Sequence, residues 1–541
     1  MGEPKDTEGG VSASHSEFAY AGPASMEVPQ VTWWKHRGLR KLYPMMPILF
    51  LGSTINGYDG SLLNGLQTMT PWQDYFNNPS GSTLGLFTAI QNIGGVCALF
   101  FCMPPILTTR KLCILTPHLI ASYIADSLGR RAGVTLGLLV LFVGTIIQVV
   151  PSVNSSMFLA GRFLVGLGSN VSQGSAPLLI TELAYPQHRG KLTTMYNTLW
   201  YLGSIVAAWT IFGTIKYTSE ASWRIPVGMQ AAMPLIQLLG IWFLPESPRW
   251  LCAKDRPDEA FDVLIKYHGA GNRDDAFCAF EFHEIQQTLL LEKINSNDGW
   301  QVLIQTPGNR KRLLLIALVS FFSQCSGNGL VSYYLHDILK SVGITSSYDQ
   351  SMINGALQIW SLLVALGFSS FLVDVLGRRP LFMIAGVGML ISFAVWTGCS
   401  AVYAQTGNPS AGSAVIAMIF LFYGVAGFAW PGLTVAYPAE ILPFNIRAKG
   451  IALGMTLTAA SSVFNQYVNP IGLEALQWRF YFVYIAILVV ECLCIWFLFV
   501  ETKGPTLEEI AALFDGEDAN VASSGRSPQD MKTVDEATGR L

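Results

Sequence analysis

The chain has 541 residues, 51% of them hydrophobic, with only 33 basic and 36 acidic side chains and a net charge of −3. Charged residues are 13% of the total, against about 25% in an ordinary soluble protein, too few to cover a soluble surface of this size. That composition excludes a soluble enzyme, a nucleic-acid binder and a disordered scaffold. About twelve apolar runs of roughly 20 residues, the length that crosses a bilayer, predict a polytopic membrane protein instead.

The runs lie near residues 45–65, 84–103, 132–150, 157–180, 193–213, 226–244, 313–335, 352–373, 380–402, 412–437, 450–472 and 479–500. Ahead of them, segment 1–44 is polar, carries Lys35, Arg37, Arg40 and Lys41, and lacks a cleavable signal pattern. Basic residues recur in alternate loops, at Arg130 and Arg131, Arg189 and Lys191, Arg378 and Arg379, Arg447 and Lys449, and Lys503. The positive-inside rule assigns these loops, and both termini, to the cytoplasm. Asn154-Ser155-Ser156 is a glycosylation sequon in a short outer loop. In the fourth run, Gly161, Gly166 and Gly168 allow close helix approach. The nine cysteines, mostly inside runs, form no CxxC pair and read as small buried hydrophobes.

An internal repeat organises the runs. Asp126-Ser127-Leu128-Gly129-Arg130-Arg131 recurs as Asp374-Val375-Leu376-Gly377-Arg378-Arg379. Glu182 precedes Arg189 by seven residues, as Glu440 precedes Arg447. Pro245-Glu246-Ser247 ends the sixth run, as Glu501-Thr502-Lys503-Gly504 ends the twelfth. The expected fold is all-α, with two pseudo-symmetric six-helix bundles (45–245 and 313–502) rocking about a site near the bilayer midplane. Residues 246–312 are expected to form a cytoplasmic linker of short amphipathic helices, and 503–541 a polar cytoplasmic tail.

These motifs resemble the sugar porter family of the major facilitator superfamily over about residues 45–512. The resemblance rests on the two D-x-L-G-R-R copies, on Gly161-Arg162 with Gly166 and Gly168, on Pro245-Glu246-Ser247-Pro248-Arg249-Trp250-Leu251, and on Glu501-Thr502-Lys503-Gly504. Gly57-Tyr58-Asp59-Gly60-Ser61-Leu62-Leu63-Asn64-Gly65-Leu66-Gln67 and Ser326-Gly327-Asn328-Gly329-Leu330-Val331-Ser332-Tyr333-Tyr334 are similar to the fungal lactose permease and cellodextrin branch. The resemblance implies a proton-driven sugar transporter of the plasma membrane. No feature calls for a catalytic dyad, a metal or an organic cofactor. The expected partners are a sugar, a proton and the lipid bilayer, without nucleic acid, and the chain is expected to work as a monomer.

Asp59 is the most informative residue, because a carboxylate inside an apolar span is costly unless paired or neutralised. Arg162, inside the fourth run, is its expected partner, and the resemblance gives the pair the proton-coupling role; a static ion pair holding two helices in register is the alternative. Asp126, Arg130, Glu182, Arg189, Glu246, Asp374, Arg378, Glu440, Arg447 and Glu501 sit at helix ends on the cytoplasmic face. Exposed ion pairs are worth only about 0–1 kcal/mol each, so such a network suits a reversible gate. For the sugar, amides match hydroxyls and aromatic rings stack on apolar sugar faces. The candidates are Gln324, Asn328, Tyr333 and Tyr334 in the seventh run, Asn197 in the fifth, Trp430 in the tenth and Asn465 in the eleventh; Gln324 aligns with the second Gln of the family's Gln-Gln-x-x-Gly.

Ser323, Gly329 and Ala459 are shorter than the residues of the best-known monosaccharide carriers, which leans the reading toward a disaccharide such as lactose or cellobiose. One stretch breaks the repeat: about residues 104–122 separate the second run from Asp126, whereas Asp374 directly follows its span. A translated intron or a true loop insertion would each produce it. A facilitative uniporter and a transporter-like sugar sensor are the rival functions.

Overall fold

The computed structural model describes residues 28–100, 120–150, 152–295, 300–369, 376–503 and 514, and among them no strand occurs. Twelve long helical segments follow one another in the described residues. They are α1 Met46–Leu66, α2 Gly81–Phe100, α3 Arg130–Val149, α4 Ser155–Leu183 and α5 Arg189–Thr214. Next come α6 in two pieces, Ala221–Met229 and Ala232–Gly240, and α7 in two pieces, Pro307–Cys325 and Asn328–Ser341. The chain continues with α8 Ser347–Val364, α9 Arg378–Thr406, α10 as Pro409–Ala426 and Trp430–Ile441, α11 Phe444–Leu476 and α12 Tyr481–Leu498. Pro248–Ala253, Pro257–Tyr267, Ala276–Asn295 and Val302–Gln305 are the linker helices. Of the irregular stretch at 104–122, residues 104–119 lie outside the described residues, and Ile120–Leu128 is helical.

The seventh helix begins earlier than its apolar run. Thr306 accepts a hydrogen bond from the Asn309 amide and Pro307 occupies the first turn, so the helix starts there and carries Arg310, Lys311 and Arg312 within it. Arg312 is then buried, with its Nε donating to the Ile441 carbonyl at 3.0 Å.

Exposed apolar side chains form helical stripes: Leu139, Val143 and Ile146 on α3, Ile384, Val387, Ile391 and Val395 on α9, and Val489, Leu493, Trp496 and Phe497 on α12. Continuous stripes of this size face lipid rather than water, and a helix can do so because it satisfies its own backbone. The more polar α1, α2, α4, α5 and α8 turn Ser61, Asn64, Gln91, Ser172, Ser204 and Asn354 to the interior.

Glycines set the helix spacing in the first half. A Cβ at Gly166 of α4 would lie 1.8 Å from the Gln91 carbonyl of α2, and one at Gly168 would lie 2.5 Å from the Gly137 carbonyl of α3. Across α1 and α5, Gly57 and Gly203 leave 1.9 Å to the Trp200 and Thr54 carbonyls. Only glycine admits backbones this close.

The two halves meet on the face away from the linker. Asn64 of α1 donates to Asn354 of α8 at 3.3 Å, Thr68 and Ser351 share a hydrogen bond of 3.0 Å, and Gln67 donates to the Tyr333 carbonyl at 2.9 Å. Gln73 reaches His336 at 3.0 Å, and Asn92 of α2 donates to Ser462 of α11 at 3.0 Å. At the rim, Ser80 donates to Glu474 at 3.2 Å. This face is closed.

Candidate transport site

Asp59 sits in the middle of α1 and is fully buried. Its Oδ1 accepts from Gln230 Nε2, at the turn between the two pieces of α6, at 2.9 Å; Oδ2 has no hydrogen-bond partner. Arg162 of α4 is 2% exposed, and its Nη2 donates to Gln91 Oε1 of α2 at 2.7 Å, leaving Nε and Nη1 unpartnered. The two groups are within electrostatic range of each other, yet they do not form the ion pair expected from sequence. Each is bonded to a glutamine instead. An amide inside a span is as compatible with packing as with chemistry, so Gln91 and Gln230 carry no distinguishing signal in the sequence.

Beside Arg162 lies a cavity of about 110 Å³ lined by Asn56, Gly60, Leu63, Thr88, Gln91, Asn92, Arg162, Trp200, Tyr333, Ser462 and Gln466. Both halves contribute to it, through α1, α2, α4 and α5 on one side and α7 and α11 on the other. Its amides, hydroxyls and two aromatic rings match the groups a sugar needs.

Among the residues expected to meet the sugar, Tyr333 lines this cavity. Tyr334 is fully buried and donates its hydroxyl to the Gln466 carbonyl. Trp430 packs against Phe382 with ring centroids 5.1 Å apart, in the core of the second half. Asn465 donates to the Tyr484 hydroxyl at 3.1 Å, and Asn197 is exposed on α5. Gln324 and Asn328 flank the break in α7, where Asn328 Nδ2 donates to the Ser323 carbonyl at 2.9 Å and Gln324 Nε2 reaches Ser323 Oγ at 3.4 Å. The room expected from Gly329 is already occupied, since a Cβ there would lie 2.0 Å from Asn465 Oδ1.

On the linker face the repeat becomes geometry. Arg130 bridges Asp126 at 2.9 Å and Glu182 at 3.0 Å, while both Arg130 and Arg131 amides donate to Glu246, at 3.2 and 3.3 Å. In the second half Arg378 bridges Glu440 at 2.8 Å, and the Arg378 and Arg379 amides donate to Glu501 at 2.9 and 3.0 Å. Each Glu thus caps the orphan amides and positive end of a helix, α3 or α9. The motif glycines follow from this. Gly129 (φ 108°) and Gly377 (φ 92°) adopt left-handed φ, and a Cβ on either would lie 2.7 or 2.8 Å from the capping carboxylate.

Asp374 lies outside the described residues. Arg189 pairs not with Glu182 but with Glu281 of the linker at 2.8 Å, and Arg447 Nε donates to the Leu442 carbonyl at 3.1 Å. Glu281 also bonds His268 Nδ1 at 2.7 Å, and the other ring nitrogen reaches the Leu183 carbonyl at the end of α4, at 3.2 Å. The linker is thereby tied to the first half.

Comparison with known proteins extends this picture. Residues 45–514 match the family described as sugar (and other) transporter. Curated relatives include the MFS-type transporter criB of Aspergillus cristatus, 29% identical over 85% of this chain and 90% of that protein. Hexose transporter HXT13 of Saccharomyces cerevisiae is 26% identical over 87% of this chain and 82% of its own. Among solved structures, the inward open conformation of the xylose transporter XylE from E. coli superposes with a TM-score of 0.69 at 20% identity, covering 87% of this chain and 99% of that one. With twelve long helical segments outside the linker among the described residues, and a family match over residues 45–514, the chain belongs to the sugar (and other) transporter family.

Proposed function

We propose that the protein is a proton-coupled sugar symporter of the plasma membrane, with both termini and the linker face in the cytoplasm. One observation carries the reading: Asp59 and Arg162 lie buried within electrostatic range of each other without an ion pair, each bonded to an amide, and Arg162 lines the cavity. A carboxylate with one bare oxygen in the membrane interior is costly as an anion, so this state suits Asp59 carrying a proton. When the proton leaves, the carboxylate gains a reason to pair with Arg162, drawing α1 and α4 together and away from α6 and α2. Proton binding and helix position are then two readings of one equilibrium. The closed face away from the linker makes this the inward-facing member of the cycle.

The lactose and cellodextrin resemblance supports a disaccharide. The filled space at Gly329 and the small cavity support a hexose-sized ligand, which we favour. The test is uptake of labelled glucose, galactose, lactose and cellobiose in a transporter-deficient yeast, with and without a protonophore. Asp59→Asn should abolish accumulation against a gradient while sugar exchange continues. Concentrative uptake persisting in that variant would refute the coupling role. Wild-type uptake indifferent to the protonophore would select the uniporter, and no uptake of any sugar would select the sensor.

A further inference from the structure

A second buried carboxylate lies in the other half of the chain from Asp59. Glu491, in the last helix, is fully buried, and its Oε1 has no hydrogen-bond partner. Its Oε2 contacts Ser326 Oγ, in the break between the two pieces of α7. At that break Gly327 takes a left-handed φ of 105°, and a Cβ there would lie 2.8 Å from the Phe393 ring. The helix cannot run straight through it.

Counting protons at Ser326 decides the state of Glu491. Ser326 Oγ lies 2.6 Å from the Phe322 carbonyl oxygen and also contacts Glu491 Oε2. Two close oxygen–oxygen contacts need two protons. The hydroxyl supplies one, for the carbonyl, which has none of its own. Both contacts are full hydrogen bonds when Glu491 supplies the other.

The surroundings agree. Among the described residues Ser326 is the one hydrogen-bond partner of the Glu491 side chain, and no ion pair reaches it. Its titratable neighbours are Cys492 and Cys494 on its own helix. From α7 it meets Ser326, and from α9 it meets Gly386, where a Cβ would lie 3.5 Å from Oε1. A fully buried anion with no ion-pair partner is costly, and a neutral acid is not.

We propose that Glu491 is a buried proton-binding site, which carries its proton in this state and donates it to Ser326, latching α12 to the break of α7. Gln324 and Asn328 stand on either side of that break, so the latch positions the part of α7 that borders the substrate path. Glu491 acts through Ser326 and touches no substrate.

Infrared spectroscopy of the purified full chain tests the proton directly, without reference to transport. A protonated buried carboxyl gives a carbonyl-stretch band well separated from carboxylate bands. At neutral pH the wild type is expected to absorb in this region through both Glu491 and Asp59; Glu491→Gln should remove the Glu491 share and leave that of Asp59, and Ser326→Ala should shift the Glu491 share alone. A spectrum unchanged by Glu491→Gln would overturn the proposal. A second arm rests on the sugar-transport reading. Glu491→Gln keeps a donor in place and should hold the sugar KM within about twofold, whereas Glu491→Ala should raise KM about tenfold or more at equal expression. Loss of uptake in Glu491→Gln with retention in Glu491→Asp would mean that an anion is required, and would also overturn it. Failure of uptake in every variant and the wild type, with the band intact, would count against the transport reading and leave the proton site standing.

Discussion

Gly166→Ala probes how finely the site depends on helix spacing. The added methyl would start 1.8 Å from the Gln91 carbonyl, and real Cβ contacts essentially never fall below 3.0 Å, so α2 has to retreat by about 1.2 Å (from 1.8 to 3.0). Gln91 is also the residue that holds Arg162, one turn before Gly166 on the same face of α4. Its 2.7 Å bond to Arg162 would stretch to as much as about 3.9 Å, beyond the roughly 3.2 Å limit of a useful hydrogen bond. A hydrogen bond to a charged group is worth about 1.5–3 kcal/mol. At 1.36 kcal/mol per tenfold, uptake should fall about 10- to 150-fold. The assay is initial-rate sugar uptake normalised to monodisperse protein by fluorescence-detected size exclusion. Gly213→Ala, which has nothing within 4 Å of its new methyl, serves as the control and should be silent. A folded Gly166→Ala protein with uptake within twofold of wild type would refute the reasoning.

Arg130→Ala strands the partly buried Glu182 and should cost about 3–5 kcal/mol, whereas Arg256→Ala breaks an exposed pair with Glu259 and should cost about 0–1 kcal/mol. Thermal unfolding in detergent compares them, and equal shifts in Tm would contradict the burial argument. Burial first, and then the neighbouring His268, holds His36 below its usual 6.5, while burial and then Lys191 do the same for His188. His36 Nδ1 accepts from the Leu39 amide, and His188 Nδ1 shares a hydrogen bond of 2.7 Å with the Tyr43 hydroxyl. Residues 31–45 pack on the turn at Gln187 and His188, through Val31 and Tyr43. Packed together the two sides bind fewer protons than apart, so the contact is complete above about 6.5 and is lost as pH falls through the lowered values. Hydrogen exchange of residues 31–45 should quicken on acidification, and protection that stays constant would count against it. Burial, then Asp275 and Glu281, push the Cys278 thiol up to about 12. Maleimide should leave it unlabelled in the folded protein at neutral pH and react only after unfolding; rapid labelling would show that the linker opens there.

The spans were legible because apolar stripes have to face lipid, a demand that acts on composition. The D-x-L-G-R-R repeat was equally plain, and geometry now explains its glycine: only that residue leaves room for the carboxylate capping α3 or α9. The partners of Asp59 and Arg162 were not legible. Two basic–acidic residues in an otherwise apolar half invite pairing, and nothing in their spacing reveals that Gln230 and Gln91 intervene. Glu491 could have been found by the rule that singled out Asp59, a carboxylate within an apolar run. The shortened side chain at Gly329 pointed to a larger cavity, because sequence shows the space a residue gives up and not the Asn465 amide that takes it. Trp430 and Tyr334 pack in core clusters and do not line the cavity described, since aromatic rings serve the cores of helix bundles as readily as they serve sugars.

The closed face away from the linker is fastened almost wholly by neutral groups, with Asn64, Gln67, Thr68, Gln73 and Asn92 meeting Asn354, Ser351, His336 and Ser462. The ion pairs of the linker face, Arg130 with Glu182 and Arg378 with Glu440, each join helices within one half. Salt therefore has little hold on the contacts that join the halves, which carry almost no charge. The seal between the halves should keep nearly constant strength across a wide range of ionic strength, while the helices of each half are held partly by charge.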